Sequence, residues 1–417
     1  MSEDIHNQST AKQAAVKPLF FYKLNQLRMF GALFIFVTHA ELSKALVNLP
    51  HLPLTEVIKY GHQALNFFFV LSGFLITYLM LREYRSSGTI NIRNFYVRRI
   101  LRVWPLYYLT ITLAFFVGPL LDSALPSADF ASWRASVHQH FGLELALYYA
   151  VLPNLASCIM APPSCAGQTW TVGVEEQFYV MWPLLFWLVR KRTWMMMPLS
   201  VLFKYAMLFW LGCVPAEVMH NHAGVYVVVT AFINFLKHFD IEGLGLGALA
   251  AYLLVTQPKA VEFMTSRKGI FAMVIPFIVA IPFVPQIEAT NLGANTGALD
   301  FGLADFMFAI SYGWLCVVLA AGDKPNTLAG KALNYGGTIT YGFYMYHLFA
   351  MLIFLNILFR IPHAFDNMII ANIVLYGGAF TLTMIVSAIS YEFYEKKFQS
   401  LKRHFSYAKK EASPPSN

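Results

Sequence analysis

The sequence predicts an all-α, polytopic membrane protein of about ten transmembrane helices with both termini cytoplasmic. Three observations predict it. Hydrophobic residues make up 58% of the 417-residue chain and charged ones only 12%, with a mean hydropathy of +0.54, a balance foreign to soluble proteins of this length. Apolar runs of about 18 residues or more recur along the chain, each long enough to cross a hydrocarbon core of roughly 30 Å. Basic residues also fall on one side of the resulting scheme.

Spans are expected at roughly 29–47, 61–81, 103–121, 169–190, 194–213, 239–256, 269–285, 300–321, 337–359 and 367–391. With both ends inside, 24 of the 30 Lys and Arg residues lie on the cytoplasmic side, from Lys12, Lys17, Lys23 and Arg28 to the six that follow Tyr394. Topology therefore explains the net charge of +8 without nucleic acid as a partner. Residues 141–156 are apolar too, but counting them as a span would put Arg190–Arg192 outside. They read as a short outer-face or re-entrant helix, and residues 225–238 are open to the same two readings. The chain divides into a polar cytoplasmic segment 1–20, one transmembrane domain 21–400 and a polar tail 401–417, expected to be disordered. No apolar core precedes a cleavage site in the first 20 residues, so no removable signal peptide is expected. Cys158 and Cys165 flank a tight Pro162–Pro163 turn; they either form a disulfide in an oxidising compartment or stay unpaired.

The first span carries Arg28 and His39, eleven residues or about three helical turns apart. They share a face and are separated by roughly 16 Å along the axis, so Arg28 is expected at the cytoplasmic surface and His39 near the bilayer midplane. An ionisable group at that depth is costly unless it faces protein or water, which makes His39 a functional candidate, the other reading being a neutral histidine hydrogen-bonded between helices. In the second span, FFFVLSGFLIT reads as packing around Ser72 and Gly73. Next, NFYVRRILRVWPLYYL places Arg98, Arg99 and Arg102 within about one turn, a cluster suited to bidentate phosphate binding or to anchoring the topology. The fourth span opens QTWTVGVEEQFYVMWP, with Glu175 and Glu176 about two turns in and pointing about 100° apart. In the sixth, Gly243 and Gly247 make a GxxxG packing face. The ninth contributes His347 in YGFYMYHLF. No Cys/His spacing suggests a metal site.

These stretches, taken as an ordered set over residues 24 to about 398, resemble the acyltransferase-3 family of integral membrane acyltransferases. The family opens with L-D-G-L-R, ten residues and a histidine, matched here by Leu24–Arg28 and His39. Its second-helix and arginine segments resemble FFFVLSGFLIT and FYVRRILRVWPLYYL. Its signature W-S-L-x-V-E-E-Q-F-Y-x-x-W-P is matched by Trp170–Pro183, and its ending by YEFYEKKF. Asn25 and Gln26 replace the usual Asp and Gly, and Thr171 and Gly173 stand where serines are common. Many relatives append an extracytoplasmic esterase-like domain, which this chain is expected to lack.

The resemblance implies a multi-pass protein of the bacterial plasma membrane that moves an acyl group, expected to be acetyl, from cytoplasmic acyl-CoA to a hydroxyl on the outer side. The acceptor it implies is a cell-surface sugar or another hydroxyl compound. Arg28, Arg98, Arg99 and Arg102 would hold the donor's phosphates, and the three-turn gap to His39 matches the reach of a pantetheine arm. His39 would be the general base or be transiently acylated, with Glu175 or Glu176 fixing its tautomer. Trp170, Tyr179 and His347 are accessory candidates. Two other readings remain: a proton-coupled transporter with a His/Glu relay, against which the chain shows no inverted repeat, and a non-catalytic subunit of a polysaccharide synthesis or export complex.

Overall fold

The computed structural model describes residues 20–45, 47–50, 60–122, 137–213, 223–284, 303–320 and 325–405, together with Leu52 and Leu125. All but residue 20 of the expected N-terminal segment, and residues 406–417 of the expected tail, lie outside the described residues. So do Lys12, Lys17, Lys59, Arg134, Lys324, Lys409 and Lys410, on which part of the charge asymmetry rests.

Long apolar runs form helices, because in lipid every backbone N–H and C=O must be satisfied within its own segment. Among the described residues the chain is helical throughout, with no strand. In chain order the helices are α1 (Tyr22–Ala45), α2 (Gly61–Ser87), α3 (Ile92–Phe116), α4 (Phe141–Tyr149) and α5 (Pro153–Ile159). There follow α6 (Trp170–Val189), α7 (Met196–Gly212), α8 (Ala223–His238), α9 (Ile241–Thr256), α10 (Pro258–Thr265) and α11 (Arg267–Ala280). The last are α12 (Leu303–Leu319), α13 (Leu328–Arg360) and the helical stretch α14 (Met368–Phe405), which includes π-turns at Ile373–Gly378 and Tyr391–Glu395. Sequence-readable caps set several ends: α2 stops at Gly88, whose φ of 75° suits glycine. Asn91, Asp240 and Thr327 accept backbone N–H groups at the starts of α3, α9 and α13.

These helices overlap every expected span, but five are long and apolar enough to cross a membrane, or six if α10 and the helix after it, bent by 78°, form one span. The helices bearing Arg28 and His39, the arginine cluster and the glutamate pair are not among the five, because their polar side chains lower the hydropathy. Residues 141–156 form α4 and α5, broken at Val151, and neither is long enough to cross. Tyr226–Thr256, covering most of α8 and all of α9, counts as one span of 31 residues.

Glycines set the closest approaches. A Cβ on Gly73 would overlap the Leu244 carbonyl, and one on Gly247 would overlap that of Val70, so α2 and α9 cross backbone to backbone. α13 runs parallel to α1, with Gly337 against Asn25 near one end and Met351 beside Ser43 near the other. α2 runs antiparallel to α1, since a Cβ on Gly31 would lie 2.9 Å from Phe68 and one on Gly61 2.5 Å from Thr38. This pairing places Arg28 level with the middle of α2 and His39 level with its first turn. Helix periodicity alone gave their separation along α1, but not which turns of α2 they lie beside.

One further expectation is corrected. Residues 401–405 form a helical turn tied to α3, Arg98 Nη1 donating to the Phe405 carbonyl at 2.8 Å. Of the two readings left open for Cys158 and Cys165, the structure shows no disulfide between them. Cys158 ends α5 facing α8, its Sγ 3.8 Å from His238 Nδ1, while Cys165 is fully buried.

Candidate active site

The guanidinium groups of α3 open onto a cavity of about 410 Å³ that also takes in Arg28, Lys402 and Glu395. Five basic side chains thus share this cavity with one acidic one. The cavity continues into a narrower pocket of about 100 Å³, which shares Arg28, Arg99, Arg102 and Tyr341 and reaches Ser72, Thr171, Glu175 and Tyr344. Arg99 is buried between the rings of Phe95 and Tyr179, whose centroids lie 5.6 and 5.7 Å from its guanidinium carbon. Arg98 differs from its neighbours. It donates to Glu83 at 3.2 Å as well as to the Phe405 carbonyl, so much of its hydrogen-bonding capacity holds the C-terminal turn rather than a ligand. Lys402 was missed in the sequence because it lies in a stretch composed like a disordered tail; only its packing against α3 brings it to the cavity.

Glu175 and Glu176 part ways, as adjacent residues of one helix must. Glu175 lines the narrow pocket, where Ser72 Oγ donates to it at 2.8 Å and Tyr179 OH at 2.7 Å. Glu176 turns to α3 and accepts from Trp104 Nε1 at 3.0 Å. Trp170, the first residue of α6, packs on Phe69 and on His238, with ring centroids 6.2 and 5.5 Å apart.

His39 pairs with a histidine, not with a glutamate. Its Nδ1 lies 2.7 Å from His347 Nε2, the two rings nearly parallel. The expectation that Glu175 or Glu176 orients His39 is corrected here, because both carboxylates are engaged by Ser72, Tyr179 and Trp104. The partners also settle the tautomers. His347 Nδ1 is 2.7 Å from the Tyr344 carbonyl, which can only accept, so the proton of His347 sits on Nδ1. Its Nε2 then accepts from His39 Nδ1–H, leaving the lone pair of His39 on Nε2. His347 is almost fully buried whereas His39 keeps part of its surface open. Tyr344 joins this dyad to the narrow pocket: its carbonyl fixes His347, and its hydroxyl lines the pocket beside Thr171 Oγ1 at 2.9 Å.

The departures from the family pattern have local causes. Asn25 Nδ2 donates to the Asn334 carbonyl at 2.7 Å and Gln26 Nε2 to the Gly330 carbonyl at 2.9 Å. Amides tie α1 to α13 in this way; a carboxylate at position 25 has no proton for that carbonyl. At position 173 a Cβ would lie 2.5 Å from Asn154 Oδ1, whose side chain makes a reciprocal pair with Gln177 at 3.0 and 2.8 Å. Among the described residues, no group of three or more His, Cys, Asp or Glu is arranged to hold a metal ion.

The acyltransferase domain family matches residues 21–392. A candidate O-acetyltransferase of Staphylococcus aureus (strain COL) is 24% identical over 358 residues, covering 81% of this chain and 53% of that protein. A candidate peptidoglycan O-acetyltransferase of Bacillus subtilis (strain 168) is 30% identical over 125 residues, 30% of this chain and 19% of that protein. A candidate acetyltransferase of Acidianus two-tailed virus is 23% identical over 327 residues, 78% of this chain and 82% of that protein. The chain thus spans about half the length of the staphylococcal relatives it matches. No solved structure matches it.

Proposed function

This chain belongs to the acyltransferase-3 family, and from that premise we propose that it moves an acetyl group from cytoplasmic acyl-CoA to a hydroxyl of an extracytoplasmic sugar. It works as a multi-pass protein of the bacterial plasma membrane, with ten spans and both termini cytoplasmic. The observation that carries this reading is the passage from a cavity rich in Arg and Lys to a pocket whose Tyr344 fixes the histidine dyad. Arg99, Arg102 and Lys402 suit the phosphates of the donor's nucleotide end, and Arg28 lies deeper along the same route.

His39 acts as general base through Nε2. It takes the proton of the acceptor hydroxyl as that oxygen attacks the thioester carbonyl carbon. When the tetrahedral intermediate collapses, the carbon–sulfur bond breaks and the coenzyme A thiolate receives the proton from Nε2. No net proton is gained or lost. His347 holds His39 in the tautomer this requires and stabilises the transient imidazolium by accepting from Nδ1–H. Sugar as acceptor is supported by the name of the Bacillus subtilis relative, which specifies peptidoglycan.

The test uses purified full-length protein, labelled acetyl-CoA and bacterial envelope glycans. Because general base assistance supplies roughly 10²–10⁴-fold, His39→Ala should lose transfer by that factor with acetyl-CoA affinity retained. Transfer near the wild-type rate by this variant would overturn the assignment.

A further inference from the structure

The last turn of α14 forms one wall of the cationic cavity, and its attachment is slight. None of Leu401–Phe405 is buried, yet Lys402 lines the cavity beside Arg99 and Arg102, as do Gln399 and Glu395 one and two turns earlier. Upstream, Tyr394 OH donates to the Pro105 carbonyl at 3.1 Å and holds the second π-turn against α3. The last turn itself is tied to α3 by Arg98, whose Nη1 donates to the Phe405 carbonyl at 2.8 Å. The final carbonyl groups of a helix lack partners within it, and a cation is favoured beside them. Arg98 supplies both proton and charge from a neighbouring helix. Phe405 and Lys402 are three residues apart in one tight turn, so the bond that fixes the first also fixes the second.

Arg98 is in turn held for this task. Its Nη2 donates to Glu83 Oε2 at 3.2 Å, while Glu83 Oε1 accepts from the backbone N–H of Asn91 at 2.9 Å. Glu83 is buried where α2 gives way to α3, so its carboxylate orients the guanidinium fork and leaves Nη1 toward Phe405. The same carboxylate balances the charge of Arg98, whereas Lys402 shares the cavity with Arg99 and Arg102.

We propose that Arg98 is a positioning residue of the donor site: it docks the C-terminal turn so that Lys402 reaches the donor's phosphates. The inference rests on the acyl-transfer reading above, and it moves Arg98 from ligand to support. Donor affinity then depends on Arg98 only while Lys402 is present.

The experiment is a double-variant cycle on purified full-length protein, with acetyl-CoA affinity read by calorimetric titration. Arg98→Ala and Lys402→Ala should each weaken binding about tenfold, and the double variant should bind no more weakly than either single one. An arginine that held phosphate itself, or merely stabilised the fold, would lower affinity as much in the Lys402→Ala background as in the wild type. Losses that multiply in this way, or an Arg98→Ala variant that binds like the wild type, would overturn the proposal and leave the proposed function standing. Should Arg98→Ala fail to fold, Arg98→Lys takes its place in the cycle. Lysine keeps the charge but lacks the planar fork that spans Glu83 and the Phe405 carbonyl, so binding should weaken only where Lys402 remains. Wild-type protein without measurable acetyl-CoA affinity would instead overturn the proposed function, and this inference with it.

Discussion

At the Leu75–Leu79 end of α2 the passage is walled by Arg28, Arg99, Arg102 and Lys402, whereas at the Gly61–Asn66 end the side chains are His62, Gln63, Asn66 and the acids Asp240, Glu242 and Asp305. The first region gathers basic side chains around Glu175 and Glu395, and binding an anion there would ease the like-charge repulsion among them. The second holds carboxyl and amide groups tied to one another and to Lys204. Between them the narrow pocket is lined largely by uncharged side chains and ends at Tyr344. The contrast teaches that the two ends of α2 lie against opposite chemistry, basic side chains contributed by α1, α3 and the C-terminal stretch at one and carboxyl and amide groups at the other.

The comparison breaks most severely at the cationic end. Converting Arg99 and Arg102 together to Ala should weaken acetyl-CoA binding by about 100-fold or more, since hydrogen bonds to charged groups contribute roughly 1.5–3 kcal/mol each. Calorimetric titration at two salt concentrations checks this. The wild-type affinity should fall with salt and that of the double variant much less; equal salt dependence would remove these arginines from the donor site. A smaller effect is expected between the two ends. His347→Ala should lower kcat roughly tenfold, the equivalent of about 1.4 kcal/mol, with KM for acetyl-CoA unchanged. His347→Gln can still accept from His39 Nδ1–H and should recover part of the rate. A purely structural His347 would show the same loss in both variants.

The smallest effect concerns Glu144 on α4, outside the spans, which sharpens the comparison by testing a buried acid with no assigned ligand. Glu144 is fully buried with neither carboxylate oxygen partnered, and burial pushes its carboxyl up to about 7. The folded state therefore holds the proton more tightly than the unfolded chain, whose carboxyl titrates near 4.5. The cost of burying the anion is absent below about pH 4.5 and complete above about pH 7. Glu144→Gln should thus stabilise the protein by about 1 kcal/mol at pH 8 and hardly at all at pH 4.5. Thermal melts at the two pH values measure the difference; an equal gain at both would mean the carboxyl is not held neutral by burial.

Much of this was legible in the sequence, for reasons that can be named. Helix content follows from long apolar runs, because a peptide group in lipid has no other partner. The arginine cluster, the glutamate pair and His39 stand out because ionisable side chains among apolar residues must face something polar. Contacts between residues far apart in the chain were not legible. The spacing of Arg28 and His39 gave their separation along α1, but their depth depends on the contacts of Gly31 and Gly61 with the neighbouring helices. The partner of His39 was misassigned to the glutamates because distance along the chain does not reveal which helix lies alongside α1. Lys402 was invisible for a related reason, since composition marks its segment as tail-like while packing on α3 orders it.

What the sequence by itself determined, then, is the local physics: which segments are helical, where caps such as Gly88 and Asn91 end them, and which side chains are too polar for lipid. Only the tertiary structure decided the pairings, namely His39 with His347, Glu175 with Ser72 and Tyr179, and Asn66 with Asp240 around Gly243. Helix formation depends on neighbours within a few residues, whereas these contacts join positions as many as 308 residues apart in the chain. They exist only once interhelical packing, set by close-approach glycines, has fixed the height of each helix against the next.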